Sequence, residues 1–253
     1  MPAHKRMSDN NEMRAESRLE RAMKSDAVVI GGSILLAGLI IAGSIMYIVG
    51  RNGTAVAPGT NNGTQPSAPA KVVSGLDVGQ SPVLGDANAP HTIVEFGDFQ
   101  CVYCTKFHTD MDPIIRTDFI QTGKAKIVFK TLAFLGPESA AAGLAAECAK
   151  DQGKFWDFHD AIYTAEQAEE TAGKQSENSG NLTKDFFVKT AQSLGMDVTK
   201  FTSCYDGKNG QAQMDQYAKD MQSAGVQGTP TVFVDGTQLQ NPFDITQYQA
   251  IIK

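Results

Sequence analysis

The sequence predicts an α/β domain with an inserted helical subdomain, preceded by a single N-terminal transmembrane helix. Three observations indicate this arrangement. Residues 27–50 carry no charge, two short apolar runs at 91–96 and 125–132 flank a helix-compatible segment, and helical spacing recurs through 137–221. With 253 residues and 42% hydrophobic content, the chain has room for one sizeable domain plus appendages.

The N-terminal 26 residues mix basic and acidic side chains and are interpreted as a solvated cytoplasmic tail. The whole chain has a net charge of −6, from 22 Lys and Arg against 28 Asp and Glu, and no basic patch. Because nucleic-acid binding needs such a patch, the sequence excludes a nucleic acid as a partner.

The uncharged segment 27–50 predicts a membrane anchor. Twenty-four helical residues extend about 36 Å, enough to cross a hydrocarbon core of about 30 Å, and exceed the apolar region of a signal peptide. More Arg and Lys residues precede the segment than follow it, which predicts a cytoplasmic N-terminus and an extracytoplasmic domain. Residues 51–75 are rich in Gly, Asn, Thr, Ser and Pro, a composition typical of a flexible linker.

The folded domain is predicted to span 76–253 and to begin with a βαβ unit. We expect a buried strand over 91–96 that ends at Gly97, a helix over 102–122 kinked at Pro113, and a second strand over 125–132.

A helical insertion is predicted over about 134–222, with helices near 139–150, 155–163, 181–194, 197–205 and 211–222. The polar stretch 166–180 is predicted to be a surface loop. A strand within 228–236, a short edge strand at 238–240 and a final helix over 243–252 complete the domain.

Cys101 and Cys104 stand where the first strand meets the first helix. Unpaired backbone N–H groups and the positive end of the helix dipole favour a thiolate at that position, which makes a cysteine a nucleophile or a good leaving group. The pair therefore predicts redox chemistry. The competing interpretation, half of a zinc site, lacks a second close cysteine pair, and His108 and His159 show no recurring ligand spacing.

Four segments give the chain a resemblance to a known family. They are TIVEFGDFQCVYC at 92–104, ECAKDQGKFWDFHDAIY at 147–163, LGMDVTKFTSC at 194–204 and GVQGTPTVFVDG at 225–236. Over about 85–253 the chain resembles the DsbA-like branch of the thioredoxin superfamily, the membrane-anchored kind related to BdbD-type thiol oxidases. The resemblance implies a thioredoxin fold with the helical insertion described above.

The resemblance also implies roles for individual residues. Cys101 would be the nucleophile and Cys104 the buried resolving cysteine, while Pro230 matches the cis-proline that faces the redox pair. The backbone at Thr229 would pair with an extended substrate strand. Glu95 stands where relatives carry a buried acid that relays the resolving cysteine's proton, and its alternative interpretation is an edge-exposed strand residue.

Val102 and Tyr103 separate the two cysteines and are expected to contact substrate. Many relatives have proline directly after the first cysteine, so Val102 is a departure that leaves the redox potential open.

Cys148 and Cys204 lie in the insertion, and outside the cytoplasm a structural disulfide between them is expected. Two buried, inert thiols are the alternative. His108, one turn after Cys104, is interpreted as a solvated surface residue, with an influence on the thiolate as the alternative.

The sequence thus predicts an extracytoplasmic thiol–disulfide oxidoreductase, most simply a dithiol oxidase acting on exported proteins with free thiols. No cofactor or metal is expected. The resemblance implies a DsbB-like or VKOR-like membrane partner that reoxidises the pair. A reductase or isomerase with the same site, and a non-catalytic peptide-binding module, are the alternatives.

Overall fold

A computed structural model describes residues 72, 73, 76 and 78–253 of the chain. The predicted tail 1–26, the predicted membrane helix 27–50 and all but residues 72 and 73 of the predicted linker lie outside the described residues. Within the described part of the chain, no helix combines the length and apolar character that a membrane crossing requires. Val72 forms a β-bridge with Thr237, and the N–H of Val73 donates to the carbonyl of Gly236 at 2.7 Å.

Five strands form one mixed sheet in the order β1-β3-β2-β4-β5. They are β1 (Val83–Leu84), β2 (His91–Asp98), β3 (Ala125–Leu132), β4 (Thr231–Val234) and β5 (Thr237–Gln238). The central pair β2 and β3 is parallel, as the βαβ prediction requires, and the remaining pairs are antiparallel. The predicted α/β class with inserted helices is confirmed.

Strand β2 runs two residues further than predicted, because Gly97 and Asp98 continue the parallel pairing with β3. Gly97 does not break the strand. It makes room for a ring, since a Cβ at this position would lie 2.6 Å from the ring of Phe129. The extra residues carry the strand directly to the turn that precedes Cys101.

The segment between β2 and β3 is not one kinked helix. It comprises α1 (Val102–Asp110), a short α2 (Asp112–Ile115) and a π-helical turn over Arg116–Ile120. Pro113 occupies the first turn of α2, where proline's missing N–H costs no hydrogen bond. A new helix therefore begins at Asp112, directly before Pro113, where we predicted a kink within one helix.

Five helices lie between β3 and β4. They are α3 (Pro137–Lys150), α4 (Phe155–Thr171), α5 (Lys184–Ser193), α6 (Val198–Asp206) and α7 (Gln211–Ala224), and α8 (Ile245–Ile251) follows the sheet. A disulfide joins Cys148 of α3 to Cys204 of α6.

The prediction of a surface loop over 166–180 is wrong for its first part, because α4 continues to Thr171. Glu166 is fully buried in that helix, and Ser176 is buried in the segment that follows it. The polar composition of this stretch does not make it exposed, because Gln100 donates to Glu166 and to the carbonyl of Ser176, and Asn181 donates to Glu166.

Candidate active site

Cys101 is the N-cap residue of α1, at the carboxyl end of the central strand β2. Its N–H donates to the carbonyl of Asp98, and its own carbonyl accepts from the N–H groups of Cys104 and Thr105 at 2.8 and 3.0 Å. The sulfur therefore lies beside the free N–H groups of the first helical turn, where a negative charge is stabilised.

Cys101 is only 9% exposed, so its sulfur is largely shielded from solvent. A hydrogen bond from the Cys104 thiol, helped by the backbone N–H groups of Cys104 and Tyr103, lowers the pKa of Cys101 to about 6. In its neutral form the thiol donates to the carbonyl of Thr229 at 3.3 Å. Near neutral pH the reduced pair therefore holds a thiolate at Cys101.

Cys104 lies one turn inside the helix and is completely buried. Burial, together with the negative charge that forms at Cys101, raises the pKa of Cys104 well above its usual range. The two sulfurs thus differ in chemistry: the first ionises readily and the second keeps its proton.

The loop before β4 faces the cysteine pair through the cis peptide bond between Thr229 and Pro230. On the helix side, Val102 and Tyr103 are 49% and 63% exposed, so both side chains are open to a bound molecule. The Thr229–Pro230 turn and the first turn of α1 thus flank the sulfur of Cys101.

Glu95 is 4% exposed on the central strand, so its interpretation as an edge-exposed residue is wrong. Its Oε1 lies 3.3 Å from where a Cβ on Gly97 would be, which shows that the carboxyl group extends along β2 towards the cysteines. Burial, followed by the nearby charge of Asp112, raises the pKa of Glu95 well above its usual range.

Comparisons with known proteins bear on this geometry. A thioredoxin family model matches residues 77–253. The chain belongs to the thioredoxin family. It is 31% identical over 174 residues to Disulfide bond formation protein D of Bacillus subtilis, a match that covers 68% of this chain and 75% of that relative.

Solved structures share the fold of this domain. The crystal structure of oxidised BdbD from Bacillus subtilis superposes with a TM-score of 0.62 at 30% identity, covering 72% of this chain and 96% of that one. Chlamydia trachomatis DsbA, at 22% identity, shares the fold, with a TM-score of 0.57 over 68% of this chain and 92% of the other. This thioredoxin-family protein is a thiol–disulfide oxidoreductase.

The structural role of Asp98 in this thioredoxin-family site could not be predicted from the sequence. Its carboxylate accepts from Ser139 Oγ at 2.7 Å and from the N–H groups of Gln100, Phe134 and Leu135. The end of β2, the chain after β3 and the start of α3 are therefore tied to one buried carboxylate. An acid three residues before the first cysteine was the only signal available.

Gln100 was also missed, although it precedes the first cysteine. Its amide Nε2 donates to carboxylate oxygens of Glu138 and Glu166, and its Oε1 accepts from the N–H of Asn178 at 2.6 Å. Burial raises the pKa of Glu166 to about 7. Nothing in the local sequence brings together residues that lie 38 and 66 positions apart.

The contacts of His108 contradict its interpretation as a solvated surface residue. His108 stacks on Tyr163 with ring centroids 5.2 Å apart, and its Nδ1 lies 3.1 Å from Asp112 Oδ2. His159 and Asp160 of α4 complete the group, whose nitrogen and oxygen atoms lie within 4.8 Å of one another.

Sequence spacing did not anticipate that this group comes together. Arg116 donates to both of its carboxylates, at 2.7 Å to Asp160 and 3.2 Å to Asp112, so this guanidinium is the cation that the two acids face. The detectable signal was the recurrence of His108, Asp112 and Arg116 at every fourth residue, which places them on one side of the segment.

Proposed function

We propose that this protein is a dithiol oxidase that introduces disulfides into exported proteins through the Cys101–Cys104 pair. The observation that carries the proposal is the difference between the two sulfurs: the pKa of Cys101 is lowered to about 6, while Cys104 is buried and keeps its proton. A stabilised thiolate favours the reduced form of the pair, and a pair with a favoured reduced form is an oxidant.

The reaction begins when a substrate thiolate attacks Cys101 Sγ of the oxidised pair. The Cys101–Cys104 bond breaks, a substrate–Cys101 disulfide forms, and Cys104 takes up a proton. A second substrate thiolate then attacks the substrate sulfur of the mixed disulfide, and Cys101 leaves as a thiolate. Two electrons pass from substrate to enzyme; of the two substrate protons, one reaches Cys104 and the other enters solvent.

Glu95 is the proton donor to Cys104 in this proposal. Both groups are buried, and the charge of Glu95 acts on Cys104. Since burial raises the pKa of Glu95 well above its usual range, the carboxyl holds a proton that it can transfer. In the reverse direction, the carboxylate removes the proton when the pair is reoxidised.

The substrate segment would lie extended along the Thr229–Pro230 turn, with Val102 and Tyr103 contacting side chains next to the reacting cysteine. The carbonyl of Thr229 lies 3.3 Å from Cys101 Sγ, so a strand hydrogen-bonded at Thr229 holds its own sulfur beside the nucleophile.

We further propose that residues 27–50 anchor the protein in the cell membrane with residues 1–26 in the cytoplasm and the catalytic domain outside. The uncharged sequence of 27–50 and the Arg and Lys residues that precede it support this placement. Repeated turnover then needs a protein that reoxidises the pair, and a DsbB-like or VKOR-like membrane protein is the proposed partner.

The test is the oxidation of a reduced, unfolded protein whose activity returns only when its disulfides form. We expect the oxidised full-length protein to restore that activity, and Cys101→Ser to abolish the effect. Equilibration of the pair with glutathione gives the direction. A strongly reducing potential would show a reductase or isomerase instead. Failure of the oxidised wild-type protein to restore more activity than Cys101→Ser would indicate a binding module.

A further inference from the structure

Two histidines and two aspartates meet where α1 and α2 pack against α4. His108 and Asp112 come from the first segment, and His159 and Asp160 come from α4. One nitrogen or oxygen atom of each side chain lies within 4.8 Å of the others, and we call these four side chains the His/Asp group. The sequence does not predict the group, because its two halves come from helices that are distant in the chain.

The atoms of the His/Asp group are spaced much like the ligands of a zinc ion. Zinc bonds of about 2.1 Å in a tetrahedral site place the ligand atoms about 3.4 Å apart. Here Nδ1 of His108 lies 3.1 Å from Asp112 Oδ2 and 3.9 Å from Asp160 Oδ1. Since no pair in the group is more than 4.8 Å apart, a movement of at most about 1.4 Å brings the widest pair to the zinc spacing.

The His/Asp group also contains buried ligand atoms that lack a partner. The side chains of Asp112 and His159 are 3% and 1% exposed. Oδ1 of Asp112 and Nε2 of His159 have no hydrogen-bond partner among the described residues. A buried polar atom left unpaired costs free energy, and coordination of a metal ion offsets this cost for an oxygen or nitrogen lone pair.

The charges of the His/Asp group favour a cation. Asp112 and Asp160 supply two negative charges, and Arg116 supplies one positive charge at 3.2 and 2.7 Å from them. Histidine binds a metal as a neutral ring, so one negative charge remains for the ion to offset. Each carboxylate oxygen has two lone pairs, so a carboxylate that accepts from Arg116 can still bind a metal.

The kinds of ligand indicate which ion fits. Two imidazoles with two carboxylates suit zinc and related transition metals, whereas calcium and magnesium prefer oxygen ligands alone. An ion can reach the group from solvent, because His108, Asp112 and Arg116 line a surface cavity of about 300 Å³.

We propose that the His/Asp group binds one zinc ion through its two imidazoles and two carboxylates. The ion is structural, since four protein ligands complete a tetrahedral site and leave no position for a substrate. It joins α1, the helix that begins after Cys101, to α4 of the insertion. The site is independent of the direction in which the cysteine pair reacts.

The test is a zinc titration of the oxidised full-length protein after treatment with a chelator. Oxidation joins Cys101 to Cys104, so these two cysteines offer the metal no free thiol. Trp156 is the only tryptophan of the chain, and its ring lies 5.1 Å from the ring of His159, so its fluorescence reports binding. We expect equilibrium dialysis to give one zinc ion per chain, and the change in fluorescence to end at the same ratio.

His108→Gln removes a ligand at the edge of the group, where the side chain is 18% exposed. Loss of even an outer partner of a zinc ligand weakens binding about 10–100-fold, so this variant should bind zinc at least about tenfold more weakly. The matched control is His91→Gln. His91 also pairs with an aspartate, Asp235, but lies at the opposite end of β2 from the cysteines, so its zinc affinity should equal that of the wild type.

Asp112→Asn is the second variant if His108→Gln does not fold, and it should weaken zinc binding as well because it removes a ligand charge. Absence of zinc binding by the wild-type protein would overturn the proposal. Equal affinity of the wild type and both ligand variants would also overturn it. Binding by Arg116→Gln but not by the wild type would do the same, and would show that the guanidinium takes the place of the metal.

Discussion

Gln100 donates from its side-chain amide to Glu166 across 3.2 Å, although the two residues lie 66 positions apart. The bond joins the residue before Cys101 to the C-terminal half of α4, the longest helix of the insertion. Asn181 donates to the other oxygen of Glu166 at 2.7 Å, so one buried carboxyl connects three segments of the chain. The insertion is therefore hydrogen-bonded directly to the turn that precedes Cys101.

The buried Glu166 should make the stability of the domain depend on pH. Its pKa is raised by burial from 4.5 to about 7, so the folded protein holds this proton more tightly than the unfolded chain does. The stabilisation is fully present below about pH 4.5 and is lost as pH rises through 7.

Between pH 4.5 and about 7, we therefore expect the free energy of unfolding to fall less in Glu166→Gln than in the wild type. The difference should be at most about 3 kcal/mol. Urea unfolding at a series of pH values measures this decline. Glu177→Gln, an exposed carboxyl in the following segment, is the control and should leave the decline unchanged. An unchanged decline in Glu166→Gln would show that Glu166 is ionised in the folded protein.

The central strands of the sheet and the position of Cys101 at a helix start can be predicted from the sequence, because both depend on residues that are close together in the chain. The apolar run of β3 was assigned to its observed bounds, and Cys101 was placed at a helix start from strand–helix order alone. The disulfide between Cys148 and Cys204 is predicted from the extracytoplasmic compartment, and the structure contains it.

The errors have a different physical origin. Glu166 and His108 were assigned to the surface because polar side chains usually lie there. Their placement away from solvent depends on partners from other segments of the chain, Gln100 and Asn181 for the first and Tyr163 and Asp160 for the second. Such compensation is a property of the tertiary fold and leaves no periodic signal in the sequence.

The low pKa of Cys101 should depend on the hydrogen bond from Cys104, its largest cause. Cys104→Ala removes the donor, and we expect the pKa of Cys101 to rise from about 6 towards the ordinary range for a thiol. Ultraviolet absorbance of the thiolate during a pH titration measures the shift. Cys104→Ser keeps an O–H donor and is the matched control. If Ala and Ser titrate alike, the helix N-terminus rather than Cys104 determines the pKa.

Gly97 should not tolerate a methyl group. A Cβ there would lie 2.6 Å from two ring atoms of Phe129, a buried residue on the neighbouring strand. Overpacking of this kind costs about 1–3 kcal/mol, so Gly97→Ala should lower the free energy of unfolding by that amount. Gly228→Ala is the control because no atom lies within 4 Å of its added Cβ. Equal stability of the two variants would contradict the packing argument.

The Cys148–Cys204 disulfide should stabilise the insertion against unfolding. The two cysteines are 56 residues apart, and closing a loop of that length contributes roughly 4 kcal/mol in the chain-entropy model. The double variant Cys148→Ala/Cys204→Ala should lose about that much in urea unfolding. Because α3 and α6 both pack in the core that contains Phe158, the loss should accompany unfolding of the whole domain.

The bond itself is tested by counting thiols in the unfolded wild-type protein with the active pair oxidised. Two titratable thiols would mean that Cys148 and Cys204 are not joined, and the predicted loss would then shrink to the cost of two small cavities.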